Sequence, residues 1–254
     1  MSLADGLQAV VLAGGKGTRL LPYTAVLPKP LMPLGDKPVL EWLLLHLRDH
    51  GIFRVALAVN HLRHLIQSFF GDGRTLGMQI SYLIEDQPLG TSGPLAAALD
   101  HAESDLLAIN GDLVTELDLS AFLRDHRGRK CDLSVATALR SNQLDYGVLE
   151  VGDDGRLLSW EEKPVSTHLA SLGLYALRRD AVRDLLPKGQ RQDMPQLVLR
   201  MIDAGRLVST RSSDALWLDI GRPDDYAKAQ DLAQSGATAF FRVRDGNGSS
   251  THRP

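Results

Sequence analysis

The chain has 254 residues, with 28 Lys and Arg against 31 Asp and Glu, a formal net charge of −3, 44% hydrophobic residues and one cysteine. That length suits one large α/β domain or two small ones and lets roughly three quarters of the unfolded surface be buried. The charge balance excludes the basic excess of a nucleic-acid binder, the single cysteine excludes stapling by internal disulfides, and no segment reaches the ~20 apolar residues of a membrane span.

In chain order, residues 1–7 show no basic segment followed by an apolar run, so no secretory signal is expected and the reading is cytoplasmic. Residues 7–12 (LQAVVL) predict a buried strand running into a glycine-rich turn. A helix is expected over 38–50, a strand over 54–60, a helix over 61–70 and a strand over 79–84. A helix opened by Pro94 and a strand over 105–109 follow, the latter ending at Asn110-Gly111-Asp112. Strands alternating with helices of this length imply parallel, right-handed βαβ units. Beyond residue 130 the pattern becomes β-like over 132–140, 147–151, 156–160 and 171–177. Helices are expected over 179–186, 195–204 and 223–234. The chain reads as one domain over 1–235, with a nucleotide-type half to about 130 and a mixed-sheet half after it. Residues 236–254 read as a flexible tail.

Ala13 to Leu20 reads AGGKGTRL directly after the first strand. Without Cβ atoms, such a loop lets backbone N–H groups approach an anion. The dinucleotide fingerprint is excluded, because Leu20 stands where its third glycine belongs and Asn60 where its acidic residue belongs. The Walker loop is excluded too, since Gly15-Lys16 is followed by Gly17 rather than Ser or Thr.

The continuation makes the loop specific. GGKGTRLLPYTAVLPKPLMP, from Gly14 to Pro33, resembles the GGxGTRLxPxTxxxPKPLxP signature of the sugar-1-phosphate nucleotidyltransferases. That resemblance implies a Rossmann-like α/β three-layer sandwich with a mostly parallel mixed central sheet and a smaller β-rich sugar-binding portion. It implies nucleotide contacts from Leu12, Ala13, Gly14, Gly15, Gly17 and Thr18, with Arg19 on the departing phosphates and Lys29 near the α-phosphate. Lys16 reads equally well as a solvated surface lysine. Asp112, in the NGD turn after a parallel strand, and Asp219, in Trp217-Leu218-Asp219-Ile220-Gly221, are the implied ligands of Mg²⁺, which takes one or two carboxylates plus phosphates and waters.

Tyr146-Gly147-Val148 and Glu161-Glu162-Lys163-Pro164 match the family's sugar-binding strands. Gly147, Glu162, Ser171 and Trp217 are thereby assigned to the sugar, and Lys163 to its phosphate as a catalytic cation. Ser171 departs from the family's NxGxY pattern, and a hydroxyl cannot make both contacts of an amide. Mannose-1-phosphate and heptose-1-phosphate guanylyltransferases are the nearest family types, with a cyclitol phosphate conceivable because of Ser171.

Glu85-Asp86-Gln87-Pro88-Leu89-Gly90-Thr91 resembles the base-reading segment, placing Glu85, Pro88, Gly90 and Thr91 beside the nucleotide. Guanine offers two adjacent donors, N1–H and N2–H₂, which suit an acceptor-only carboxylate at Glu85. GTP is therefore favoured; if Gln87 faces the base instead, dTTP or UTP returns. A non-catalytic nucleotide-binding homologue is the other alternative, although the chain keeps Arg19, Lys29, Asp112, Lys163 and Asp219. The implied partners are an NTP and a sugar-1-phosphate, without nucleic acid or membrane and with room for a homo-oligomer. At this length an appended left-handed β-helix is not expected. Cys131 and the scattered histidines, including His61 and His64, read as structural.

Overall fold

A computed structural model describes residues 7–15, 17–102, 105–236 and 238–241. Lys16 and residues 242–254 of the expected tail lie outside the described residues. The strands are β1 (Gln8–Leu12), β2 (Pro33–Leu34), β3 (Lys37–Pro38), β4 (Arg54–Val59), β5 (Gln79–Ile84), β6 (Leu106–Asn110) and β7 (Leu113–Thr115). They continue with β8 (Leu133–Gln143), β9 (Val148–Val151), β10 (Leu157–Glu161), β11 (Val165–Leu177), β12 (Val208–Ser212) and β13 (Trp217–Asp219). The helices are α1 (Val39–Asp49), α2 (Arg63–Phe70), α3 (Gly93–Ala98), α4 (Leu119–Gly128), α5 (Arg179–Val182), α6 (Met194–Asp203) and α7 (Pro223–Ser235).

Seven strands form the central sheet in the order β12-β8-β11-β6-β1-β4-β5. β1 is parallel to β4 and β6, β4 to β5, and β8 to β12, while β11 opposes both of its neighbours. The sheet is mixed and mostly parallel, and it runs unbroken through both halves of the chain. Its central strands are apolar at successive positions because both faces are covered. Ala9 and Val11 enter a core with Leu43 and Leu47 of α1, Ile66 of α2 and Phe122 of α4. Val10 points the other way, into a core with Leu95 of α3, Val182 of α5 and Leu197 of α6. The strand period of two thus sorts helices into two outer layers.

A third apolar cluster lies on the far side of α1. Val39, Trp42 and Leu45 pack there against Val114, Leu218, Ile220 and Ala229. This cluster seats the small antiparallel pair β7–β13 on α1. Phe240 is buried in it, and the rings of Phe240 and Phe241 lie 6.5 and 5.2 Å from that of Trp42. The expected tail from residue 236 is corrected here, because two aromatic rings close the open end of the cluster around Trp42.

β8 and β11 outrun the main sheet. Their pairing continues from Ala138↔Ala170 to Gln143↔Val165, and the antiparallel hairpin β9–β10 follows at the end of this arm. β11 therefore begins at Val165 rather than at the expected residue 171. Helix α4 was not expected, although Asp118 caps it by accepting a bond from Ala121 N–H at 2.8 Å and Leu119, Phe122 and Leu123 form its buried stripe.

Cys131 is buried, and so is His126 beside it on α4. His126 Nδ1 lies 2.8 Å from Ser134 Oγ, and burial pushes the imidazole pKa below its usual 6.5, against the opposing pull of Asp105. The folded state then binds fewer protons than the unfolded state as pH falls through about 6.5, so stability is retained above that pH and lost below it. Denaturation midpoints measured from about pH 7 to pH 5 are expected to fall less for His126→Gln than for the unmodified chain. Parallel pH curves for the two proteins would contradict this.

Candidate active site

The carboxyl ends of β1, β4, β5 and β6 lie side by side around a cavity of about 360 Å³. The chain leaves β1 toward β4 on one side while β6 joins on the other, which is the crevice where open α/β sheets place ligands. Leu12, Ala13, Gly14 and Gly15 line the cavity as the chain exits β1, followed by Gly17, Thr18 and Arg19. Lys29 and Asp112 line one end, and Glu85, Pro88, Gly90 and Thr91 the other. All residues expected to contact nucleotide therefore face one cavity. Asn110, Pro30, Ala58, Pro94 and Gly221 line it as well; of these, Asn110 and Gly221 adjoin the two aspartate motifs in sequence.

The carboxylate end is built by strand pairing. β13 opposes β7 with Asp219 across from Leu113, and Ile220 N–H donates to the Asp112 carbonyl at 3.1 Å. Two aspartates far apart in sequence are thereby neighbours. The buried Lys29 ammonium forms an ion pair with Asp112 and lies 3.4 Å from Asp219 Oδ1, while Arg19 Nη2 is 3.9 Å from Asp219 Oδ2. Asp219 is held from its own side, since Oδ1 accepts from Gly221 N–H at 2.8 Å and its N–H donates to Asp225 Oδ2 at 3.0 Å. Among the described residues no group of three or more His, Cys, Asp or Glu side chains could hold a metal. Asp112 lines the cavity, while Asp219 stands outside the lining and meets the same ammonium; this carboxylate pair fits Mg²⁺, which draws its remaining ligands from phosphates and water.

The base end is built differently. Glu85 follows β5 and is buried, and its Oε1 has no hydrogen-bond partner. Burial pushes its carboxyl pKa upward, against the pull of the Leu89 backbone N–H. Its backbone carbonyl is fixed by Asn60 Nδ2 at 2.9 Å. Gly14 leaves room for the carboxyl, since a Cβ there would come within 3.2 Å of Glu85 Oε2. Gln87 is exposed and outside the lining.

The segment before α6 clamps this loop. Ser92 N–H and Oγ–H both donate to the Gln192 carbonyl, at 2.9 and 3.0 Å. Gln192 N–H donates to the Leu89 carbonyl at 2.9 Å, and Thr91 N–H donates to Asp193 Oδ1 at 3.0 Å. No sequence signal marks Gln192 for this role.

The expected sugar residues lie outside the cavity lining. Ser171 Oγ is 3.0 Å from Tyr175 Oη and accepts from Gly173 N–H at 3.3 Å. Trp217 donates its Nε1–H to the Leu172 carbonyl at 2.8 Å, and the Arg140 guanidinium stands 4.4 Å from its ring. Gly147, Glu162 and Lys163 stand on the arm. Gly147 is covered by the Trp160 indole, which a Cβ would meet at 2.8 Å, and Glu162 Oε2 accepts from Trp160 Nε1–H at 3.1 Å. Indole packing alone therefore calls for a glycine at this position.

A family profile described as nucleotidyl transferase matches residues 8–236. The chain is 34% identical over 225 residues to D-glycero-alpha-D-manno-heptose 1-phosphate guanylyltransferase of Campylobacter jejuni, with 87% of this chain and 97% of that one covered. It is 32% identical over 243 residues to UTP--glucose-1-phosphate uridylyltransferase of Synechocystis, covering 88% of this chain but only 62% of that longer protein. The crystal structure of HddC from Yersinia pseudotuberculosis complexed with GMP-PN superposes with a TM-score of 0.68 at 28% identity, covering 88% of this chain and 98% of that one. The profile runs from the first strand to the last helix, and it spans Gly14, Gly15, Gly17, Thr18, Arg19 and Lys29 of the cavity wall. The chain belongs to the sugar-1-phosphate nucleotidyltransferase family.

Proposed function

We propose that this chain transfers a nucleotidyl group from an NTP, with GTP favoured, to a sugar-1-phosphate, giving an NDP-sugar and pyrophosphate. The observation that carries the proposal is one cavity with a cation–carboxylate cluster at one end and a buried, unpartnered acceptor at the other. A sugar-phosphate oxygen attacks the α-phosphorus in line, a new P–O bond forms, and the α–β bridge breaks as pyrophosphate departs. Arg19 and Lys29 neutralise the charge that develops on the leaving and transferring phosphates. Asp112 and Asp219 would hold Mg²⁺, which when bound supplies Lewis-acid charge compensation on the phosphates. No covalent enzyme intermediate is needed, so the protein contributes alignment and electrostatics. Gly147 and Glu162 are assigned to the sugar and Lys163 to its phosphate, which requires the arm to close toward the cavity.

Guanine is favoured because Glu85 presents acceptors only, is buried against Gly14 and lacks a partner at Oε1. The similar heptose guanylyltransferase and the HddC complex with GMP-PN point the same way. The uridylyltransferase similarity keeps UTP and dTTP as the alternative, but Gln87, the residue that would read them, is exposed. A non-catalytic role would not need the intact Arg19, Lys29, Asp112 and Asp219 cluster. No described helix is long and apolar enough to cross a membrane, and a cytoplasmic setting is part of the proposal.

Glu85→Gln tests the base assignment. Its kcat/KM with GTP is expected to fall ~10- to 100-fold, with UTP or dTTP gaining relative to GTP. An unaltered GTP preference would sink the assignment. The same variant is expected to melt no lower than the parent at neutral pH. A carboxyl whose pKa is raised by folding costs stability once pH exceeds its unfolded value.

A further inference from the structure

We propose that the Lys29 ammonium is the resident counter-ion of the Asp112–Asp219 pair and keeps divalent cations off it until a nucleoside triphosphate binds. This rests on reading those two carboxylates as the metal ligands. Both face the same buried ammonium, which is ion-paired to Asp112 and 3.4 Å from Asp219 Oδ1. An ammonium and a divalent cation cannot share that space, since like charges a few ångströms apart repel strongly in a partly dry site. One must leave for the other to enter.

Gly221 is what lets the ammonium in. A Cβ at 221 would fall on Lys29 Nζ, and would also lie 2.9 Å from Asp219 Oδ1. The Gly221 N–H in turn orients that Asp219 oxygen at 2.8 Å. The backbone of Lys29 sits between Pro28 and Pro30 in a 3-10 turn, so only the side chain is free to move. An incoming triphosphate offers this ammonium new anionic partners and lets it swing off the carboxylates. Cation and nucleotide then bind with positive coupling, each raising the other's affinity. The nucleotide-free enzyme holds no metal, and the cation arrives with the triphosphate.

Mn²⁺ binding, followed by the loss of the free-ion paramagnetic resonance signal, tests this without reference to activity. Nucleotide-free parent protein is expected to show no binding below millimolar Mn²⁺. Lys29→Met, which keeps the aliphatic stem, is expected to bind at least tenfold more tightly. Gly221→Ala, whose Cβ would take the ammonium's place and crowd Asp219 Oδ1, is expected to show no such gain. Submillimolar Mn²⁺ binding by the nucleotide-free parent, or no gain in Lys29→Met, overturns the counter-ion proposal. A separate arm adds a non-hydrolysable GTP analogue. There the parent should bind Mn²⁺ more tightly than the analogue alone does, and Asp219→Asn should not. Failure of that arm overturns the metal-ligand reading itself.

Discussion

Asp112→Asn is expected to lower pyrophosphate release by roughly 10³-fold or more, because charge compensation on the phosphates accounts for several kcal/mol of transition-state stabilisation. The substitution preserves shape, and the bond that ties this residue to β13 uses its backbone carbonyl, which accepts from Ile220 N–H. The fold should therefore survive. A thermal melt within a few degrees of the parent, together with the lost turnover, places the defect in the chemistry. Turnover within tenfold of the parent would remove Asp112 from the reaction.

Gly90→Ala is expected to destabilise the protein by about 3 kcal/mol, lowering the melting temperature by about 10 °C. Two costs combine at this position. Gly90 has φ +79°, a conformation that side chains avoid, and a Cβ there would stand 2.5 Å from the Gln192 carbonyl and 2.7 Å from Asp193 Oδ1. The displaced element is the loop from Glu85 to Thr91, so KM for the nucleotide should rise with the loss of stability. Gly155→Ala is the control. Its φ is also +79°, but nothing lies within 4 Å of the added Cβ, so only the backbone cost of about 1 kcal/mol applies. Equal melting shifts for the two variants would refute the clamp between this loop and the start of α6.

The parallel half was legible because strands buried on both faces read as unbroken apolar runs. The strand expected over 79–84 has those bounds in the structure. β12 was not legible. Its sequence, VSTRS, carries little apolar signal, and its strand character comes from lying parallel to β8 at the sheet edge. The length of β11 was hidden for a related reason, since its first residues are exposed and their extension is set by pairing with β8. Phe240 and Phe241 read as part of a flexible tail because their partner, Trp42, is distant in sequence.

At the site, the motif from Gly14 to Pro33 identified one cavity wall in advance. The meeting of Asp112 with Asp219 was implied only by family order; its physical cause is the β7–β13 register. That Lys29 lies between them follows from a missing Cβ at Gly221, which no periodicity reveals. The direction of the arm carrying Gly147, Glu162 and Lys163 is likewise a tertiary property. Local sequence fixes the alternation of a strand but not where a two-stranded ribbon points.

The most direct measurement is Mg²⁺-dependent pyrophosphate release across a matrix of GTP, UTP, dTTP and ATP against mannose-, heptose- and glucose-1-phosphates. The account predicts release with GTP and at least one of these sugar phosphates, at a rate well above that with the other nucleotides. No release from any pair, or faster release with UTP or dTTP than with GTP, would contradict it.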